Sequence, residues 1–194
     1  MTEPTPPWPE SPDVYGYLSL DARGHWLIRG QPISRPSLVE HLQRHYQCDE
    51  AGRWFVKNGW QRAFVTLAYT PWILRVDGRG ALFTHCGNPA APLTGAFLDD
   101  SGALILETAS GPGLVDDNDL DWALEHLRTT TGPLSDAALE TALAAPSGSA
   151  TALRFVQAEG AALAVRRLDR ANAASHFGFV THPRPLQPPS PRLQ

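Results

Sequence analysis

Gly24-His-Trp-Leu-Ile-Arg-Gly30, Gln31-Pro-Ile-Ser34 and Arg35-Pro-Ser-Leu-Val-Glu-His-Leu-Gln-Arg-His-Tyr46 run on without a break, and their reading decides the fold. The first piece is rich in β-formers and stops at Gly30, which predicts a strand over 26–29. The third piece places Leu38, Val39, Leu42 and Tyr46 at the i, i+1, i+4, i+8 spacing of one buried helical face. Its start has two readings. Pro36 is the first helical residue, where its missing N–H costs nothing; or Ser37 is the N-cap and Ser37-Leu-Val-Glu40 forms a capping box. Both begin the helix within one residue, so later strands are expected to pack on it.

Composition narrows the class. A chain of 194 residues makes one domain, or two small lobes with a shared core. That length buries roughly 70% of the unfolded surface, enough to fold without staples. The cysteines are Cys48 and Cys86. The N-terminal MTEPTPPWPESP shows no basic segment followed by an apolar run, and no apolar run approaches the roughly 20 residues of a membrane span. Cytoplasmic residence with free thiols, and no membrane partner, is the expectation. A formal charge of −4 argues against a nucleic-acid partner, whose binding rests on a basic surface. Lys57 is the sole lysine, so one residue could form a Schiff base and no Gly-Lys-Ser/Thr phosphate loop exists. Arginine in place of lysine, with abundant Ala and Pro, is the bias of a GC-rich bacterial genome.

Outward from the opening stretch, proline-rich ends over 1–13 and 183–194 read as disordered tails. Asp21-Ala-Arg-Gly24, Asp49-Glu-Ala-Gly52, Asp77-Gly-Arg-Gly80 and Asp100-Ser-Gly102 lie between apolar runs. Aspartate caps its own turn and glycine supplies positive φ, so these are hairpin corners. The first two extend into a longer match, 21–30 with 49–59, consistent with a duplicated turn-and-strand unit or with shared hairpin chemistry. Asn58-Gly59 signals a type I′ hairpin. Strands are expected at 62–68, 72–76, 81–86, 95–98 and 103–108, as an antiparallel meander because the connections are short.

Ser110-Gly-Pro-Gly113 reads as a linker between an N-terminal lobe, 14–110, and a C-terminal lobe, 111–182. In the latter, Leu120, Ala123, Leu124 and Leu127 form a helical stripe after an acidic start. A second helix begins at Ser135, with Leu134 and Leu139 as a hydrophobic staple, and ends at Pro146. A hairpin over 152–157 and 161–166 turns at Glu159-Gly160, and 169–177 forms a last short helix. The fold class is α+β: a curled antiparallel sheet of hairpins packed around a central helix, with further helices in the C-terminal half.

Asp21, Gly24, Trp26, Gly30, Pro32-Ile33 and Arg35, followed by Leu38-Val39, resemble an uncharacterised proteobacterial domain family with the pattern D-G-x-W-x-x-x-G-x-P-I-x-R. Tyr69-Thr-Pro-Trp72 is similar to that family's A-P-F corner. The resemblance covers about residues 18–85, and it implies repeated motifs of antiparallel strands curled around a helix, with a signalling role. Ala68 and Tyr69 stand where the family carries two acidic residues. The resemblance implies no catalytic residues.

Several constellations could carry chemistry. His41 and His45 are one turn apart and Cys48 follows, a ligand-like spacing for zinc, with Asp49 or Glu50 as a further group. Against it, no second ligand cluster is visible, so no cofactor is expected and zinc is the alternative. His85-Cys86 on one strand point to opposite faces, which favours a packed thiol and a surface histidine over a nucleophile pair. Asp116, Asp117, Asp119 and Asp121 suit a hard cation, but helix capping explains them better. Trp122 lies off the 120/123/124/127 stripe and is either an exposed contact that could bind a ligand or packed against another lobe; Arg29 and Arg35 are the candidate ligand-binding cations. The reading is a non-catalytic regulatory module that binds a small molecule or a protein. A metal-dependent or hydrolytic enzyme with a His/Asp site and a homodimeric interaction subunit are its alternatives.

Overall fold

The computed structural model describes residues 8–157 and 161–185. Strand accounts for 41% and helix for 21%, the latter in short pieces, so the α+β expectation gives way to a mostly β architecture of two mixed sheets. The first sheet is built from β1 (Asp13–Leu20), β2 (Trp26–Ile28), β3 (Gln31–Pro32), β4 (Tyr46–Cys48), β5 (Trp54–Asn58) and β6 (Gln61–Leu67). Its spatial order is β3-β2-β1-β6-β5-β4. The second contains β7 (Trp72–Val76), β8 (Leu82–Thr84), β9 (Leu93–Leu98), β10 (Leu104–Thr108), β11 (Gly111–Val115), β12 (Leu127–Thr129), β13 (Ala150–Val156) and β14 (Ala162–Arg167). Its order is β12-β13-β14-β9-β10-β11-β7-β8. The edge strands β3, β4, β8 and β12 are each two or three residues long.

The sheets are mixed because strands distant in sequence meet side by side. β1 runs parallel to β6, β11 to β7, and β14 to β9. Short connections force neighbours in sequence to be antiparallel. They do not constrain strands that meet after two or more turns, and that is where the expected meander fails. The turn of the last hairpin, at Glu159-Gly160, lies outside the described residues. Of the N-terminal stretch, the part from Trp8 is described: its indole donates to Gln61 Oε1 at 3.0 Å, and Gln61 donates in turn to the carbonyls of Pro9 and Ser11.

The helix that was to be central is α1 (Pro36–Arg44). Pro36 is its first residue, and the Arg35 carbonyl accepts from the amides of Leu38 and Val39; no side chain caps it, so the Ser37/Glu40 box does not form. Leu42 is its one buried residue, with Leu38 and Val39 half-buried, and Tyr46 reaches the core from β4 rather than from the helix. α1 therefore flanks the core. The core itself lies where Leu18, Trp26, Trp54, Val65 and Leu67 of one sheet join Ile73, Leu74, Ile105 and Leu106 of the other in one cluster. Burial at roughly 25 cal/mol per Å2 makes that cluster, not a helix face, the dominant stabilising term.

Four corners share one geometry. In each, an aspartate Oδ1 accepts the amides two and four residues on: Arg23 and His25 at Asp21, Ala51 and Arg53 at Asp49, Arg79 and Ala81 at Asp77, Ser101 and Ala103 at Asp99. A glycine at the fourth position closes each turn with positive φ. The fourth turn thus starts at Asp99, one residue before the expected Asp100, and the turn shared by 21–30 and 49–59 recurs at Asp77 and Asp99, with leucine in place of the tryptophan that follows. Gly59 alone has positive φ in the β5–β6 turn, so Gly59-Trp60 forms the II′ pattern in place of the expected I′ at Asn58-Gly59.

The expected linker at Ser110-Gly-Pro-Gly113 is mostly β11, paired with β10 on one side and β7 on the other. A Cβ on Gly113 would lie 2.5 Å from Leu74 Cγ, and Leu74 is fully buried. Gly113→Ala is therefore expected to destabilise the fold by about 1–3 kcal/mol through overpacking. Denaturant unfolding measures it; a neutral variant would mean that this segment is as free as a linker.

Candidate functional site

Beyond Asp116 the chain makes a 3-10 turn, Asp117–Asp119, and then α2 (Leu120–His126). The acidic run is spent on structure. Asp116 caps the turn and pairs with Arg75 at 3.1 Å, Asp117 pairs with Arg23, and Asp119 accepts the Val76 amide. The short turn resets the helical phase, so the expected stripe does not form. Ala123 and Leu127 are buried, Leu120 and Leu124 are exposed, and Trp122 turns inward to a half-buried position.

Trp122 lies against His126, ring centroids 4.3 Å apart, and both approach Phe155 of β13 at 5.7 and 5.8 Å. These three rings form one wall of a cavity of about 570 Å3. Leu82, Pro89, Pro92 and Leu93 supply apolar walls, and Gln157 adds a polar group. The third aspartate turn positions Ala81 at this wall, because Asp77 Oδ1 holds the Ala81 amide at 2.9 Å. His126 Nδ1 lies 2.8 Å from the Trp122 carbonyl oxygen, which can only accept. Nδ1 therefore carries a proton, and Nε2 is the ring's remaining polar atom. A smaller groove of about 360 Å3 adjoins, lined by Glu125, His126, Arg128, Val156 and Gln157. His126 and Gln157 belong to both. The arrangement offers an apolar bed with hydrogen-bonding groups at one end, the usual composition of a small-molecule site.

Of the residues singled out in the sequence, Trp122 alone lines this cavity. Arg29 is exposed, stacks 4.2 Å over the Tyr17 ring and donates to its hydroxyl at 2.7 Å. Arg35 is exposed at the start of α1. Both belong to the first sheet's corner, whereas all cavity-lining residues fall within 80–161. His41 and His45 do come together, stacked at 4.4 Å, and His45 Nδ1 donates to the His41 carbonyl. Cys48 is exposed on β4, its thiol donating to the Asp49 carbonyl, and burial and the Asp49 charge hold its pKa up. Among the described residues no group of three or more His, Cys, Asp or Glu is arranged to hold a metal.

His85 is buried, not on the surface as its strand position suggested. Its ring lies against those of Trp26, Tyr46 and Trp72, and the Ile73 amide donates to Nδ1 at 3.3 Å. Burial first, and the Arg75 charge second, push its pKa down to about 3, so it stays neutral. Cys86 beside it is pushed up to about 12 by burial, which leaves its thiol unreactive. Sequence reading missed His126 and Gln157. The i, i+4 spacing of Trp122 and His126 was the one local signal for the former.

Two solved structures are similar in part, both of DUF1285 family proteins. One, from Silicibacter pomeroyi DSS-3, is 18% identical, with a TM-score of 0.47 over 64% of this chain and 73% of its own. The other, from Shewanella baltica OS155, is 14% identical, with a TM-score of 0.40 over 53% of this chain and 86% of its own. No curated protein matches the chain. No helix among the described residues is long and apolar enough to cross a membrane. Residues 4–184, nearly the whole sequence, match a single family, and the chain belongs to it: the proteins of unknown function DUF2946.

Proposed function

We propose that this protein is a non-catalytic binding module whose ligand is a small molecule with an apolar body, seated between α2 and the second sheet. The observation that carries the reading is the cavity walled by Trp122, His126 and Phe155. Its volume falls in the range of roughly 300–1,000 Å3 typical of ligand sites, and its lining is mostly hydrocarbon. The histidine in it is bonded to a carbonyl rather than to a carboxylate. Among the described residues, the cavity lining holds no Ser, Thr, Cys, Lys, Asp or Glu for that histidine to work with, which favours binding over turnover.

The test uses the full chain and a neutral aromatic probe, 2-naphthamide, in titration calorimetry. Saturable one-to-one binding is expected, and Ala81→Trp, which fills the cavity from an exposed turn position, is expected to abolish it. Ala81 contributes only its backbone to the turn, so the fold should survive. Absent binding, or binding that Ala81→Trp leaves unchanged, overturns the reading.

A further inference from the structure

The groove next to the cavity holds an arginine that has no ion-pair partner among the described residues and a second arginine beside it. β12 and β13 pair antiparallel with Arg128 directly opposite Arg154, while Leu127 lies opposite Phe155. Alternation along a strand puts both arginines on one face and the apolar pair on the other. Like charges directly opposite each other in such a ladder destabilise it. Yet among the described residues neither arginine makes an ion pair. Arg128 Nη1 donates to the Leu127 carbonyl at 2.8 Å, which occupies one of its five N–H donors. Arg128 lines the groove that shares His126 and Gln157 with the cavity. Glu125 is the one acidic side chain in that groove and forms no ion pair with Arg128; Arg154 is not part of the lining but stands beside Arg128 across the ladder.

We infer that the ligand is a carboxylic acid: its apolar or aromatic body fills the cavity and its carboxylate is held at the mouth by Arg128, with Arg154 adding to the field. This rests on the cavity being a ligand site, and it names the head group that site selects. A planar guanidinium matches a carboxylate in a bidentate geometry that a neutral amide cannot exploit. The oxyanion also relieves the repulsion across the Arg128–Arg154 pair, so ligand and strand pairing support each other.

Isosteric probes separate the head group from the body. The full chain is titrated at neutral pH with 2-naphthoate and with 2-naphthamide, which share one shape and differ in charge. The acid is expected to bind about tenfold more tightly. Added potassium chloride should erode that preference and leave the amide unaffected, a readout that needs no variant. Arg128→Gln is expected to equalise the two probes without weakening the amide, Arg154→Gln to narrow the gap, and Glu125→Gln to widen it. Equal affinities in the wild type, or a preference that persists in Arg128→Gln, overturn the inference and leave the cavity as a neutral-ligand site. If neither probe binds, the cavity reading fails as well.

Discussion

Gly52→Ala is expected to cost about 2–5 kcal/mol, the sum of a left-handed backbone penalty and a steric one. Gly52 has a φ of +74°, and a Cβ there would lie 2.1 Å from the carbonyl oxygen of Gly178, the residue that ends α4 (Arg170–Phe177). That oxygen cannot simply move aside. The Gly52 carbonyl accepts the Val180 amide at 2.9 Å, and Arg53 bridges Val180, so the two segments are pinned together. For a chain of this size the loss should lower the melting temperature by roughly 10 °C. Gly59→Ala is the control: its φ is also positive, but nothing lies within 4 Å of the added carbon. It should show the backbone penalty alone. Equal losses in the two variants would mean that the close approach to Gly178 carries no weight.

Asp49→Ala should be comparably severe, about 3–5 kcal/mol, because it strands a buried cation. Arg53 is 7% exposed, its guanidinium lies 2.7 Å from the Asp49 carboxylate, and the same carboxylate satisfies the amides of Ala51 and Arg53. Burial tends to raise the Asp49 pKa, but the Arg53 and Ala51 hydrogen bonds and the Arg53 charge win and hold it below its ordinary 3.8. A folded-state value below the unfolded one means that Asp49 stabilises the fold fully above that ordinary value. The contribution is lost as the pH falls through the folded value. Wild-type unfolding free energy should thus decline below about pH 4, and Asp49→Ala should flatten part of that decline. Adding Arg53→Met should recover much of the loss, since an apolar side chain of similar length needs no partner. If the double variant is no better than the single one, the stranded charge is not the cause.

What the sequence made legible was local. The Asp-x-x-Gly corners are closed by bonds within five residues, so their chemistry is readable wherever they occur. The same holds for Pro36 at the start of α1, and for Ser135, whose side chain caps α3 (Asp136–Ala144) as expected. The sheet order was not legible, because Leu20 meets Leu67 and Leu98 meets Arg167 through pairings that no local pattern encodes. Gly111-Pro-Gly113 looked like a linker because its glycines lack β-propensity. They serve instead to let Leu74 and the paired strands come close. Trp122 was singled out by its position off a stripe that does not form, and it packs against Phe155, nearer the second of its two expected surroundings than the first. The phase of α2 is set by Asp116 and by the entry of Leu127 into β12, not by apolar spacing.

The brevity of β3, β4, β8 and β12 bears on how this protein behaves when crowded. A cross-β contact or an added peptide strand needs a row of unpaired backbone amides and carbonyls to grow along. Here each such edge strand is only two or three residues long, and Pro32 on β3 has no amide to give. Template-driven aggregation, and recognition by strand addition, are therefore both disfavoured along the edges of the two described sheets.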